Sequence, residues 1–173
     1  PWGVAVAEDG KIYVSDSSAD RILIFDGSGN LIGSWGESGS LPHQLWGPTG
    51  LQIGPQGDLY VADHENRSIK RFSVSGELKL HLDLRNYGGN GNSDSRYGAL
   101  PISVAVRADG MIFTSARDHN TKTEFWAFDK FGNKIWNPYV SFGYNRGIVA
   151  ISQKGDFAWF FENIGKYRRF RSS

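Results

Sequence analysis

Short apolar runs separated by turn residues recur along the whole chain. The first four are "VAV" at 4–6, "IYV" at 12–14, "ILIF" at 22–25 and "LIGSW" at 31–35. They are rich in β-branched and aromatic residues and are bounded by Gly, Asp, Asn and Ser, which reads as strands joined by tight turns. Several are apolar at consecutive positions, as strands covered on both faces must be. The same order of runs then returns, with new copies opening at Gly50, Ser103 and Gly147 after the first at Gly3. The turn glycines Gly10, Gly57, Gly110 and Gly155 are spaced 47, 53 and 45 residues apart. An aromatic closes the third run 15 residues after the turn glycine at Phe25, Phe72 and Phe170; at Phe128 the offset is 18, because "ARDHNTKTE" adds three residues.

Four antiparallel strands repeating at about 48 residues describe a blade of a β-propeller. The outer strands of the first three units are "LIGSW", "ELKLHL" and "NKIWN", whereas the fourth unit stops straight after its third strand at Phe170. The expectation is an all-β propeller domain over 1–173 with repeats at about 1–36, 48–83, 101–138 and 146–170. That gives three full blades and three strands of a fourth. Flat blades bury their faces on their neighbours, so none is stable alone. A six-bladed ring would need on the order of 290 residues at about 48 per blade. The chain is therefore expected to be the later part of a larger ring, or to complete one with another chain.

"PWGVAVAEDGKIYVSDSSADRILIFDGSGNLIGSWG" and "PTGLQIGPQGDLYVADHENRSIKRFSVSGELKLHL" resemble NHL repeats. Both carry the P-x-G-apolar start, the turn glycine, the Tyr-Val-small-Asp strand and the closing Phe. The likeness is clear over 1–36 and 48–83, weaker over 101–138 and loose over 146–170. It implies a propeller, usually six-bladed, but no single activity. NHL-type propellers include RNA-binding and protein-binding modules, bacterial sensor domains and the peptide-amidating lyase. In that lyase, zinc histidines stand next to the proline that opens each inner strand. Here those places hold Trp2, Thr49 and Ile102, which argues against that chemistry.

Composition narrows the chemistry further. There is no cysteine, and the four histidines are not at ligand spacing, so no closed zinc site and no cofactor is expected. Net charge is +1, which gives no global attraction to nucleic acid or acidic lipid. No nucleophile elbow is present. The glycine-rich "NYGGNGNSDSRYG" precedes no helical pattern, so it makes no phosphate cradle of the usual kind.

Asp16 and Arg21 look at first like a catalytic pair. Asp63 repeats Asp16, and Arg67 stands one place before the residue in register with Arg21. A pair that recurs in successive repeats is a scaffold device, with the aspartate bonding the following turn and the arginine reaching it. Asp16, Arg21, Asp63 and Arg67 are therefore read as structural, together with the turn glycines. Asp16→Ala and Asp63→Ala are expected to destabilise alike.

Candidate partner contacts lie elsewhere. The long loop 86–98 contributes Tyr87, Arg96 and Tyr97, and the run "KYRRFR" contributes Lys166, Tyr167, Arg168 and Arg169. Residues 146–173 hold six Lys/Arg and two Asp/Glu, net +4, so the rest of the chain is net −3. That run fits either a single-stranded RNA contact or a strand guarded by charge against edge pairing, and the second is favoured. His64 is expected to be a solvated loop residue. Asn66-Arg67-Ser68 is a sequon, relevant in the secreted or extracellular setting that is favoured. The function expected is a non-catalytic scaffold that binds a protein or self-associates. The alternatives are a lyase or lactone hydrolase with its site at the central channel, or an RNA-binding module.

Overall fold

In the computed structural model the chain is described over residues 1–87, 98–117, 123–136, 147–151, 157–161 and 167–170. Four antiparallel meanders follow one another in chain order. Blade 1 is β1 (Val4–Val6), β2 (Ile12–Asp16), β3 (Arg21–Phe25) and β4 (Leu31–Trp35). Blade 2 is β5 (Pro48–Ile53), β6 (Leu59–Asp63), β7 (Ser68–Phe72) and β8 (Leu78–Asp83). Blade 3 is β9 (Leu100–Val106), β10 (Ile112–Arg117), β11 (Thr123–Phe128) and β12 (Lys134–Trp136). The fourth sheet has three described strands, β13 (Gly147–Ile151), β14 (Phe157–Phe161) and β15 (Tyr167–Phe170). The result is a partial β-propeller.

Strand alternation divides each blade into two faces. In blade 2, Leu51, Val61 and Lys70 share one face with Ile53, Leu59, Phe72 and Leu78, while Tyr60, Ala62, Ile69, Leu80 and Leu82 share the other. The first set faces blade 1. Leu51, Leu59, Val61 and Phe72 form one core with Ala5, Tyr13 and Ile22. The second set faces blade 3, where Tyr60, Ala62, Ile69 and Leu82 pack on Val104, Ile112, Trp126 and Phe128. Blade 3 repeats the rule, with Ala105, Phe113, Phe125 and Ala127 around Val149 of β13. Blades 2 and 3 thus each have a leading face that meets the preceding blade and a trailing face that meets the next sheet. The consecutive apolar positions in the sequence are the mark of that double coverage.

The inner strands come together closely enough to require glycine. A Cβ on Gly3 would stand 2.3 Å from Thr49 O, and one on Gly50 would stand 2.7 Å from the Ser103 Cα. That contact is the physical reason for the P-x-G start. Buried hydroxyls bridge neighbouring sheets at the same level. Ser15 Oγ accepts from Gly3 N at 2.7 Å and donates to Thr49 O at 2.7 Å, and Ser103 Oγ accepts from Val149 N at 3.0 Å.

Candidate recognition site at the blade ends

Three kinds of segment converge at one end of the blades: the openings of the inner strands, the loops between second and third strands, and the connector from β4 to β5. They line a cleft of about 510 Å³. Trp2, Thr49 and Ile102 come from the strand openings, Ser17, Asp20, His64 and Glu65 from the loops, Trp46 from the connector, and Arg117 from the end of β10. The three residues expected at the P-x-G middle position therefore do meet at one site.

The connector, residues 36–47, is a strap tied down along its length. Leu45 is fully buried, and its N–H donates to Glu37 O at 2.9 Å. The carboxylate of Asp63 accepts the Trp46 N–H at 2.7 Å, and that of Asp20 accepts the Gly47 N–H at 2.7 Å. Asn66 Nδ2 donates both to Gly39 O at 2.9 Å and to Asp63 at 2.8 Å. The Trp46 side chain meanwhile remains 52% exposed at the cleft, and Trp2 58%. Two carboxylates thus hold the backbone on either side of an indole that faces out.

Asp63 is paired with Lys70, not with Arg67. Lys70 Nζ lies 2.7 Å from the Asp63 carboxylate, and both side chains are buried. Lys70 also donates to Gln44 O in the strap. Burial pushes the Asp63 carboxyl above its usual range, against the pull of Lys70, the Trp46 N–H and Asn66. Arg67 instead occupies the turn after β6 with φ 50°, the place that Asp20 takes in blade 1 with φ 51°. Asp16 is a different case. It pairs across the strands with Arg21 at 3.1 Å on the surface and accepts from Ser18 Oγ. Those two bonds hold its carboxyl below the ordinary value. The aspartates repeat in sequence and differ in surroundings, because a strap covers one and not the other.

His64 is bonded rather than solvated. Its Nδ1 lies 2.7 Å from Pro101 O. A carbonyl only accepts, so Nδ1 donates in this bond, which fixes the ring at the cleft. Tyr87 is a packing residue: its ring meets Trp126 and Phe128 edge-on at 5.4 Å each. Gly10, Gly57 and Gly110 adopt positive φ in their turns. Tyr167, Arg168 and Arg169 lie in β15. Gly155, Arg96, Tyr97 and Lys166 lie outside the described residues. Among the described residues no group of three His, Cys, Asp or Glu side chains is placed to hold a metal ion.

The NHL-repeat profile matches residues 1–25 and 45–72, which are the first three strands of blades 1 and 2. These two segments are NHL repeats. The human E3 ubiquitin-protein ligase NHLRC1 is 31% identical over 81 residues, 46% of this chain and 20% of that protein. The chain therefore matches a fifth of the length of that curated relative. Solved structures agree on the fold. A gluconolactonase from Xanthomonas campestris superposes with a TM-score of 0.70 at 16% identity, over 97% of this chain and 56% of its own. Virginiamycin B lyase from Staphylococcus aureus gives 0.66 at 13%, over 98% and 54%. The β-propeller domain of Myceliophteria thermophila Cps50 (Swd1) gives 0.63 at 14%, over 97% and 52%. These likenesses show a propeller, and the chain spans about half of each.

Proposed function

We propose that this NHL propeller is a non-catalytic recognition module that presents the strap-side cleft to a protein partner. The observation that carries the reading is Trp46, with its backbone clamped by Asp63 and Asp20 and its indole exposed. An aromatic held in place before binding loses little entropy on contact, and tryptophan is enriched among the residues that dominate protein interfaces. The aspartates that would serve acid–base chemistry are already engaged: Asp63 by three donors, Asp20 by Gly47 N and Ser38 Oγ. Asp20, Glu65 and Arg117 all line the cleft, a mixed set that suits a peptide better than a polyanion. The likeness to a ubiquitin-protein ligase favours a protein partner as well.

The second reading is a hydrolase or lyase that uses His64 Nε2 as a base, and the Nδ1 bond to Pro101 O that fixes the ring at the cleft is what favours it. A displayed peptide library selected on the chain separates the two. Recognition predicts enriched peptides whose binding is lost in Trp46→Ser and kept in Ile32→Ser, a residue exposed on β4. Absence of enrichment, with turnover of lactones that His64→Ala abolishes, would favour the enzyme.

A further inference from the structure

Charge is not spread evenly over the lining of the cleft. Asp20 and Glu65 both lie against Gly47, the residue that follows Trp46. The Asp20 carboxylate accepts the Gly47 N–H at 2.7 Å. Glu65 N donates to Trp46 O at 3.1 Å, and a Cβ on Gly47 would stand 3.2 Å from Glu65 Cγ. Two acidic residues, one from blade 1 and one from blade 2, therefore flank the stretch that carries the exposed indole. Arg117 lines the same cleft from blade 3, at the end of β10.

These three charges have no counter-charge among the described residues. Asp20 is held by two neutral donors, Gly47 N–H and Ser38 Oγ, so its charge meets no cation. The side chains of Glu65 and Arg117 make no hydrogen bond or ion pair with a described residue. Elsewhere the pairing is local: Asp9 with Lys11, Asp16 with Arg21, Asp63 with Lys70, Asp83 with Arg85, and Asp109 with Arg107. Resting on the recognition reading above, we infer that the cleft selects a peptide carrying an arginine, whose guanidinium lies on the Trp46 indole beside Asp20 and Glu65, and a carboxylate that meets Arg117.

The chemistry of each group selects this ligand. Indole is the aromatic face that attracts cations most strongly. A guanidinium can lie flat on that face while its forked N–H donors reach carboxylates at its edge, whereas an ammonium is a point charge and fits one contact at a time. An apolar peptide would cover Asp20, Glu65 and Arg117 without pairing them, which costs free energy. A polyanion would pair with Arg117 alone and be repelled by the two carboxylates.

The test is selection of a displayed peptide library on the 173-residue chain, followed by titration calorimetry. Selected peptides should share an arginine at one position and, at another, either an acidic residue or the free C-terminus; amidation of the C-terminus tells these two apart. Replacing that arginine by glutamine should weaken binding about tenfold or more. Glu65→Lys should weaken the selected peptide by a similar factor, and should bind the peptide with glutamate in place of the arginine about tenfold better than the unaltered chain does. Glu65 is exposed and its side chain bonds no described residue, so the urea midpoint of Glu65→Lys should not move. Selected peptides without a basic residue, or a Glu65→Lys variant that weakens every peptide with no exchange of preference, would overturn the inference and leave recognition at Trp46 standing. No enrichment of any peptide would overturn both. So would salt-dependent binding of polyuridylate that Trp46→Ser abolishes, since that would assign the cleft to RNA.

Discussion

Replacing Asp63 by Ala should be among the most damaging single changes in blade 2. The carboxylate is fully buried and holds three donors: Lys70 Nζ at 2.7 Å, the Trp46 N–H at 2.7 Å and Asn66 Nδ2 at 2.8 Å. Removing it leaves a lysine that is 1% exposed without its counter-charge, which typically costs about 3–5 kcal/mol. The stranded Trp46 N–H belongs to the same network, so its ~1–3 kcal/mol overlaps with that figure and does not add in full. Against a total stability of about 5–15 kcal/mol, this is a large fraction. Asp16→Ala removes an exposed pair and should move the midpoint only slightly, because surface ion pairs contribute little. Urea titration of both variants, with unchanged slopes, measures the difference. The double variant Asp63→Ala, Lys70→Met should recover part of the loss, since it removes the unpaired charge. If Asp63→Ala costs no more than Asp16→Ala, the buried pair is not what holds the strap.

Ser15→Ala removes a buried hydroxyl that serves both Gly3 N and Thr49 O, and thermal melting should show a loss of about 1–2 kcal/mol. Gly50→Ala drives a Cβ to within 2.7 Å of the Ser103 Cα, and chemical denaturation should show about 1–3 kcal/mol of destabilisation from forced separation of the inner strands. The Arg107 guanidinium holds Asp109 at about 2, below its ordinary 3.8. A depressed carboxyl stabilises above its unfolded value and ceases to do so as pH falls through the folded one. Asp109→Asn should therefore flatten the acid limb between pH about 4 and 2 in a melting series, and by little, because the side chain is 52% exposed.

The blades were legible because their two signals are local. Turn glycines mark the hairpins, and runs apolar at consecutive positions mark strands covered on both faces. The partner of Asp63 was missed for a different reason. Register with Arg21 drew attention to Arg67 and Ser68, while Lys70 lies two places further along the same face as Ser68. A lysine at the place of Leu23 and Trp126 was the available sign that a buried charge awaited a counter-ion. The clamp on Trp46 had no such sign. It joins residues 17 and 27 positions apart, through a strap whose sequence has no periodicity. In the sequence Tyr87 shows only as an aromatic at the start of the long loop, because its packing on Trp126 depends on how blade 3 folds back against blade 2.

Isothermal titration calorimetry of the chain, with a library-selected peptide in one run and an aldonolactone in another, tests recognition against catalysis in a single readout. The account predicts a saturable heat with the peptide that vanishes in Trp46→Ala and survives in His64→Ala, and only dilution heat with the lactone. Sustained thermal power from lactone turnover that disappears in His64→Ala, with no saturable binding of the peptide, would contradict it.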